Sequence, residues 1–209
     1  MPRASIGNVR NPATHAAILD AAHDLLAEQG YAGVSMEAVA RRAGAGKPTL
    51  YRWWPTKSAL LIELYEREKD RVLAEIPDLG SAQKEMLLLL KSLHRFWRKT
   101  PAGQAFRSIL AEAQGDEAAL RQLRDDFLQR SRVTHHAILD RAIARGEIAA
   151  GTDKEFLLDI FYGYSWFRLL THQLRDESNA LERLVTLLIA GAAPQGPLTC
   201  PPPGKEKGR

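Results

Sequence analysis

Residues 35–57 read SMEAVARRAGAGKPTLYRWWPTK, and the order of these residues decides the fold. Ser35 is a cap residue whose hydroxyl oxygen can take a first-turn amide, and Glu37 suits the positive end of a short helix from Met36 to about Arg42. Gly44 ends that helix, because glycine enters the left-handed turn at no steric cost. Pro48 biases Lys47 away from helical angles but fits a first turn, so a second short helix is expected from Pro48 to about Trp53, closed by Pro55. Ala40 allows close approach, while Val39, Ala43 and Leu50 pack inward. Two short helices joined through Ala43-Gly44-Ala45-Gly46 have the layout of a helix-turn-helix. The polar face of the second helix then presents Lys47, Thr49, Arg52 and Trp53 to major-groove edges, with Pro48 beside them. Ser35, Tyr51 and Lys57 meet phosphates from the helix ends. Tyr51 carries a hydroxyl suited to a wet end, whereas Trp54, ahead of Pro55, reads as core.

Helical spacing continues on both sides. Upstream, Ile18, Ala22, Leu25, Leu26 and Gln29 form a first helix stopped by Gly30. Downstream, Thr56 caps a fourth helix, striped by Leu60, Leu61, Leu64 and Tyr65, expected from Lys57 to about Ile76. Further helices are read over Ser81–Lys99, broken by Thr100-Pro101, and over Ala102–Gln114, ended by Gly115. Leu120, Leu123, Phe127, Leu128, Ile138, Leu139, Ala142 and Ile143 predict one long helix from Glu117 to Arg145. Asp153 caps a helix from Lys154 to about Arg175, and a last helix covers Leu181–Ala192; both are apolar around much of their girth, as helices buried on more than one side are. No strand-like alternation and no repeat is present. The fold class is all-α with about nine helices. The expected organisation is a flexible arm at 1–11, a three-helix helix-turn-helix domain at 12–56 and a linking helix at 57–76. A C-terminal helical ligand-binding and dimerisation domain at 77–193 follows, then a disordered tail at 194–209 holding five prolines and three glycines.

Tyr162, Trp166 and Leu169, with Leu184, Leu187 and Leu188, offer apolar surface that one monomer is not expected to bury. Two helices from each subunit can close it as a four-helix interface. A homodimer is therefore expected, and two reading heads favour a palindromic site. Trp97, Phe106, Phe127, Phe161 and Tyr164 either line a ligand cavity or form plain core; helical spacing is compatible with both.

The ordered signature resembles the TetR (tetracycline-repressor-like) family of bacterial transcriptional regulators. The likeness rests on Gly30-Tyr31, Ser35, Ala40, Ala43-Gly44, Lys47-Pro48-Thr49-Leu50-Tyr51, Trp54, and Lys57 with Leu60, and covers roughly residues 12–61. Gly46 stands where the family usually has Ser, and Trp53-Trp54 replaces the commoner His-Phe, so base preference does not carry over. In the second half, Arg145-Gly146-Glu147-Ile148, Asp153, Phe161-Tyr162-Gly163-Tyr164 and Phe167-Arg168-Leu169-Leu170 are similar to one common C-terminal subtype. The resemblance implies a sequence-specific regulator that binds a palindromic operator in double-stranded DNA as a homodimer, with repression relieved by a small-molecule effector. The rival reading is a helical protein-interaction or ligand-binding module that never touches DNA.

Composition excludes other classes. At 45% hydrophobic and 26% charged the chain is ordinarily globular. Its apolar runs, such as Met86–Leu90 and Leu187–Ala193, fall short of the ~18 to 20 residues that cross a bilayer, and no secretory pattern opens the chain. A cytoplasmic protein without membrane partners is expected. The net charge of +4 lies at the two ends, which permits nucleic-acid binding without demanding it. The single cysteine, Cys200, excludes an internal disulfide. Adjacent His135 and His136 point about 100° apart on a helix and make a poor metal pair; His136 and Asp140 share a face that reads as solvated surface. There is no His-Glu-x-x-His, no glycine-rich phosphate loop and no nucleophile elbow. No catalytic residue, metal or cofactor is expected.

Overall fold

The computed structural model describes residues 10–73, 76–174 and 178–194. Helix α1 (Pro12–Gly33) starts where the Asn11 side chain accepts from the amides of Ala13 and Thr14, at 3.0 and 3.3 Å. Gly30, at φ 67° and ψ −179°, interrupts it, so Tyr31–Gly33 is a separate turn. Helix α2 (Met36–Arg42) is capped by Ser35, whose Oγ accepts from Ala38 at 3.2 Å. Gly44 turns the chain at φ 62° into α3 (Lys47–Trp53), and Thr56 caps α4 (Lys57–Val72). The fourth helix stops about a turn before the expected Ile76. Its last residues, Asp70, Arg71 and Val72, all face solvent, and only Leu73 still packs.

Helix α5 (Ala82–Lys99) and α6 (Pro101–Ala113) form a tight antiparallel corner. The Thr100 hydroxyl donates to the Phe96 carbonyl and accepts from the Gly103 amide. Gly103 sits so close to α5 that a Cβ there would lie 2.3 Å from the Phe96 carbonyl oxygen and 2.7 Å from the Trp97 Cα.

The long helix expected over 117–145 is broken. It appears as α7 (Glu117–Gln122), a π-helical turn (Leu123–Phe127), α8 (Leu128–Ser131) and α9 (Val133–Ala144). A π turn slips the register by about one residue, which apolar spacing over several turns averages away. Arg132, at the break, is buried and reaches Glu155 and Asp159. Helix α10 (Lys154–Leu170) ends before the expected Arg175, because His172 takes the left-handed conformation (φ 58°) and the Gln173 amide closes back on the Arg168 carbonyl at 2.8 Å. Helix α11 (Ser178–Ala192) completes the chain, with the Ala192 carbonyl accepting from Ala149. Most of the arm and all but the first residue of the tail lie outside the described residues, as does Cys200.

No strand occurs among the described residues, and their buried apolar side chains form one contiguous core from Ile18 to Ala192. Helix α6 is central, touching α1, α4 and α5, while α11 and α9 pack on α5 and α10 packs on α9. Glu85, fully buried on α5, is compensated by Arg141 at 2.7 Å and Arg145 at 3.2 Å, with the Leu79 amide donating to it as well. That arrangement fixes α5 to α9 and to the loop before α5.

Two stability predictions follow from this packing. Gly103→Ala is expected to cost ~1 to 3 kcal/mol in denaturant unfolding, since neither colliding group is a flexible side chain that can step aside. Burial, helped by Arg98 and Arg168, pushes the His94 imidazole down to about 4, so the folded state holds it neutral. The unfolded chain binds the extra proton below about pH 6.5, so stability present above that pH is lost as pH falls towards 4. The loss approaches ~3 kcal/mol. Unfolding curves across this window should show a shallower acid slope for His94→Gln than for the wild type.

Candidate functional site

The face of α3 opposite Leu50 is open. Lys47, Pro48, Tyr51 and Arg52 are exposed, Thr49 and Trp53 are half-buried, and Ser35 is exposed at the start of α2. The inward anchor is Leu50, fully buried, with Val39 and Ala40 of α2. Glu37 organises the polar side: the Tyr51 hydroxyl donates to it at 3.0 Å and the Lys47 ammonium lies 3.9 Å away. Its own amide and the Tyr51 hydroxyl hold the Glu37 carboxyl below its ordinary value. Arg52 has no ion-pair partner among the described residues. Arg41, which sequence reasoning passed over, is likewise exposed and unpaired, whereas Arg42 is held bidentately by Glu28 at 2.7 Å for both bonds. The signal for Arg41 was the Arg41-Arg42 pair at the end of α2; which of the two stays open depends on α1 supplying Glu28.

Trp53 is less free than its neighbours. Its ring stands edge-on to Trp54, 5.7 Å between centroids, and its carbonyl accepts from Arg10 at 3.0 Å. Behind it, Glu63 of α4 receives the Trp54 indole N–H at 2.6 Å, His15 at 2.5 Å and both contacts from Arg10. Burial opposes ionisation of Glu63, but these three donors outweigh it and hold the carboxyl below its usual range. The chain entering α1 is thus pinned to the end of the recognition helix.

Lys57 lies at a junction. Its ammonium sits 3.9 Å from the centroid of the Tyr31 ring and 3.9 Å from the Glu112 carboxylate, which comes from α6. Tyr31 donates to Glu112 at 2.5 Å and Ser58 does so at 3.4 Å. Burial, then Glu112, raises the Tyr31 phenol above its ordinary value. The linking helix α4 is therefore not alone, since α6 also touches the head directly through this cluster.

A cavity of about 70 Å³ lies between α4, α5, α6, α9, α10 and the π turn. Trp97, Phe106 and Phe127, three of the five aromatics singled out for a ligand, line it. Phe161 and Tyr164 do not: Phe161 is fully buried against His135 and Tyr162, and Tyr164 lies under Arg168. Tyr162 and Trp166, expected at a subunit interface, line the cavity instead, and Leu169 and Leu188 are buried within the monomer. Of the six interface candidates Leu187 is exposed (70%) and Leu184 half-buried. The outward apolar stripe is Phe156 (62% exposed), Ile160, Gly163, Phe167 (58%) and Leu170 on α10, at spacings of four and three. Its first two residues, Phe156 and Ile160, share a groove with Leu187 and Gly191 of α11. Helical phase decides which residues of an all-round apolar helix face out, and that phase is fixed by the partners α10 packs on, α9 and Phe106 of α6, not by its own sequence.

A turn-joined helix pair with a basic outward face, carried on an all-helical body, defines a helix-turn-helix DNA-binding regulator. Comparison with known proteins agrees. The family model for bacterial regulatory proteins of the tetR family matches residues 18–64, and that for the tetracyclin repressor-like C-terminal domain matches residues 76–188. Uncharacterized HTH-type transcriptional regulator YdeS of Bacillus subtilis (strain 168) is 33% identical over 165 residues, 78% of this chain and 82% of that protein. The DNA-binding transcriptional repressor TetR of Mycobacteroides abscessus is 26% identical over 165 residues, 79% of this chain and 84% of that one. The crystal structure of TetR family transcription regulator SCO0332 superposes with a TM-score of 0.75 at 30% identity, covering 87% of this chain and 99% of that chain. The chain belongs to the tetR family of transcriptional regulators, and it is a DNA-binding regulator. No helix among the described residues is long and apolar enough to cross a membrane, and no cluster of three or more potential metal ligands occurs among them.

Two kinds of DNA contact are expected. Arg41→Ala and Lys57→Ala are each expected to weaken binding to every duplex about equally and to lower the salt slope by roughly one phosphate. Arg52→Ala should instead change base preference, with ~1 to 3 kcal/mol lost at one base pair. Fluorescence anisotropy over a salt series reads both; unchanged binding in all three variants rejects the assignment.

Proposed function

We propose that the protein is a ligand-relieved repressor that binds a palindromic operator as a homodimer through residues 12–56, with α4 as the link and 77–193 as the regulatory and dimerisation part. Ser35, Lys47, Pro48, Thr49, Tyr51, Arg52, Trp53 and Lys57 form the DNA-contacting set, and Arg41 joins them. The observation that carries the dimer is the stripe of Phe156, Ile160, Phe167 and Leu170, with Gly163 between them, and Leu187, large apolar side chains that the monomer leaves in water around one glycine. Spacings of four and three are those of a helix that buries one seam against another helix, and α10–α11 pairs from two subunits complete a four-helix bundle. A two-fold pair of heads then reads half-sites about one helical turn, or a multiple of it, apart.

Repression is supported by the Mycobacteroides abscessus relative, whose name is that of a repressor. The effector site is the internal cavity, because α4 and α6 both wall it and both end at the reading head. An effector acts by favouring one separation of the two heads over another; a ~100-fold change in operator affinity needs about 2.7 kcal/mol of differential binding. The protein works by binding alone, without catalysis or cofactor, in the cytoplasm where its DNA lies.

Phe167→Asp and Leu187→Asp test this, since both side chains are mostly exposed in the monomer and their replacement leaves the core untouched. Sedimentation should show a wild-type dimer at micromolar concentration and a folded monomer for the double variant. The double variant should also lose at least ~100-fold in affinity for a palindromic site selected from random oligonucleotides, while a single half-site is bound as weakly as by the wild type. A monomeric wild type contradicts the reading.

A further inference from the structure

The cavity is far smaller than the ~300 to 1,000 Å³ of ordinary small-molecule pockets, so an occupant must move a wall. Three walls are pinned. Tyr65 of α4 stacks on Phe106 of α6 at 4.3 Å, the Trp97 indole N–H of α5 donates to the Tyr65 hydroxyl at 2.9 Å, and Gly103 locks α5 against α6. The π-turn wall is held differently: Phe127 packs on Tyr65 at 5.5 Å and on Phe106 at 5.3 Å, but it stands at the end of the π turn, followed by only one turn of α8 and a break at Arg132. Interruptions of this kind recur at functional sites, and here the interruption carries the one aromatic lid over the cavity.

The polar groups narrow the chemistry. The Tyr65 hydroxyl is buried and accepts from Trp97, but its own proton has no acceptor among the described residues. Buried hydroxyls normally place that proton. Charges at the rim are already compensated: Lys69 lies 3.6 Å from Asp70, and Glu66 holds Arg130 at 2.9 and 3.2 Å. Deeper in, the Tyr162 hydroxyl faces His135 at 3.3 Å. Flat walls, a Tyr65 donor without an acceptor among the described residues, and rim charges already paired define the complement. We propose that the effector is an uncharged planar aromatic molecule with a carbonyl-type oxygen at its buried end. That oxygen accepts from Tyr65, and the rings lie against Phe106 and Trp97 where Phe127 swings away.

This rests on the reading of the cavity as the effector site, and the test separates the two. Full-length protein, wild type and Tyr65→Phe, is titrated with three probes, naphthalene, 2-acetylnaphthalene and 2-naphthoate, by calorimetry. In the wild type, 2-acetylnaphthalene should bind roughly five- to tenfold tighter than naphthalene, the worth of one neutral hydrogen bond, and tighter than 2-naphthoate. Tyr65→Phe, which keeps the ring and its stacking, should erase that advantage and leave naphthalene within about twofold of its wild-type affinity. Equal affinity for naphthalene and 2-acetylnaphthalene in the wild type, preference for 2-naphthoate, or an advantage that survives Tyr65→Phe overturns the proposed chemistry while the effector site stands. Binding of none of the probes removes the effector site and this proposal with it. Since the first comparison uses only the wild type, the outcome does not depend on how well the variant folds.

Discussion

The stack of Tyr65 on Phe106, with the Tyr65 hydroxyl held by Trp97, is the contact on which the architecture turns. It joins α4, whose first residue Lys57 stands at the reading head, to α6, whose Glu112 reaches the same head from the other side. At 1.5 Å per residue, the eight residues from Lys57 to Tyr65 span about 12 Å, a single stiff rod between junction and cavity. The α4–α6 packing therefore does two things at once. It closes the regulatory core, and it ties the head to that core through two helices, so any change in how Tyr65 and Phe106 meet arrives at Lys57 and Tyr31 together.

Carboxylates govern the basic side chains near the head. Glu37 gathers Lys47 and Tyr51, Glu63 gathers Arg10, His15 and Trp54, and Glu112 gathers Lys57, Tyr31 and Ser58. Lys47 and Glu37 are largely exposed, and exposed pairs contribute only ~0 to 1 kcal/mol, so a DNA phosphate can replace the carboxylate at little cost. Glu63 differs: it is half-buried with three donors, two of them from α1 and the segment before it. Its role is to fix the start of α1 to the end of α3, which sets the angle of the recognition helix. Arg41 and Arg52, without any such partner among the described residues, are the exposed charges that the proposed DNA contact draws on.

The local grammar of caps and glycines was legible in the sequence: Ser35, Gly44, Thr56, Asp153 and Gly30 act where residue chemistry alone places them. These features depend on neighbours within a few residues. The features that were not legible depend on partners far along the chain. The π turn at Leu123–Phe127 adds a residue that periodicity does not record, and the early end of α10 relies on His172 occupying a position usually given to glycine. The inner and outer faces of α10 differ by a rotation that its own sequence, apolar on nearly every side, does not specify. Tyr162 and Trp166 point to the cavity and Phe167 to water because α9, through His135, and α6, through Phe106, take one side. The same applies to the junction: nothing local to Glu112 announces Tyr31, 81 residues earlier.

On the proposed reading of the cavity as an effector site, the α4–α6 pair and the π turn that meets it through Phe127 together decide what an occupant can do. If the occupant's energy went only into displacing the Phe127 wall, the π turn would absorb it and α4 would not move. Coupling requires a contact on α4 itself that differs between the two arrangements of the heads. On the proposed reading Tyr65 is that point, because it belongs to α4 and its ring is shared with α6. A soft lid lowers the cost of entry, while a hydrogen bond made to the stiff rod carries the difference onward. An occupant that filled the space beneath Phe127 without engaging Tyr65 would bind yet transmit little, however tight its fit, since equal affinity for two states shifts neither.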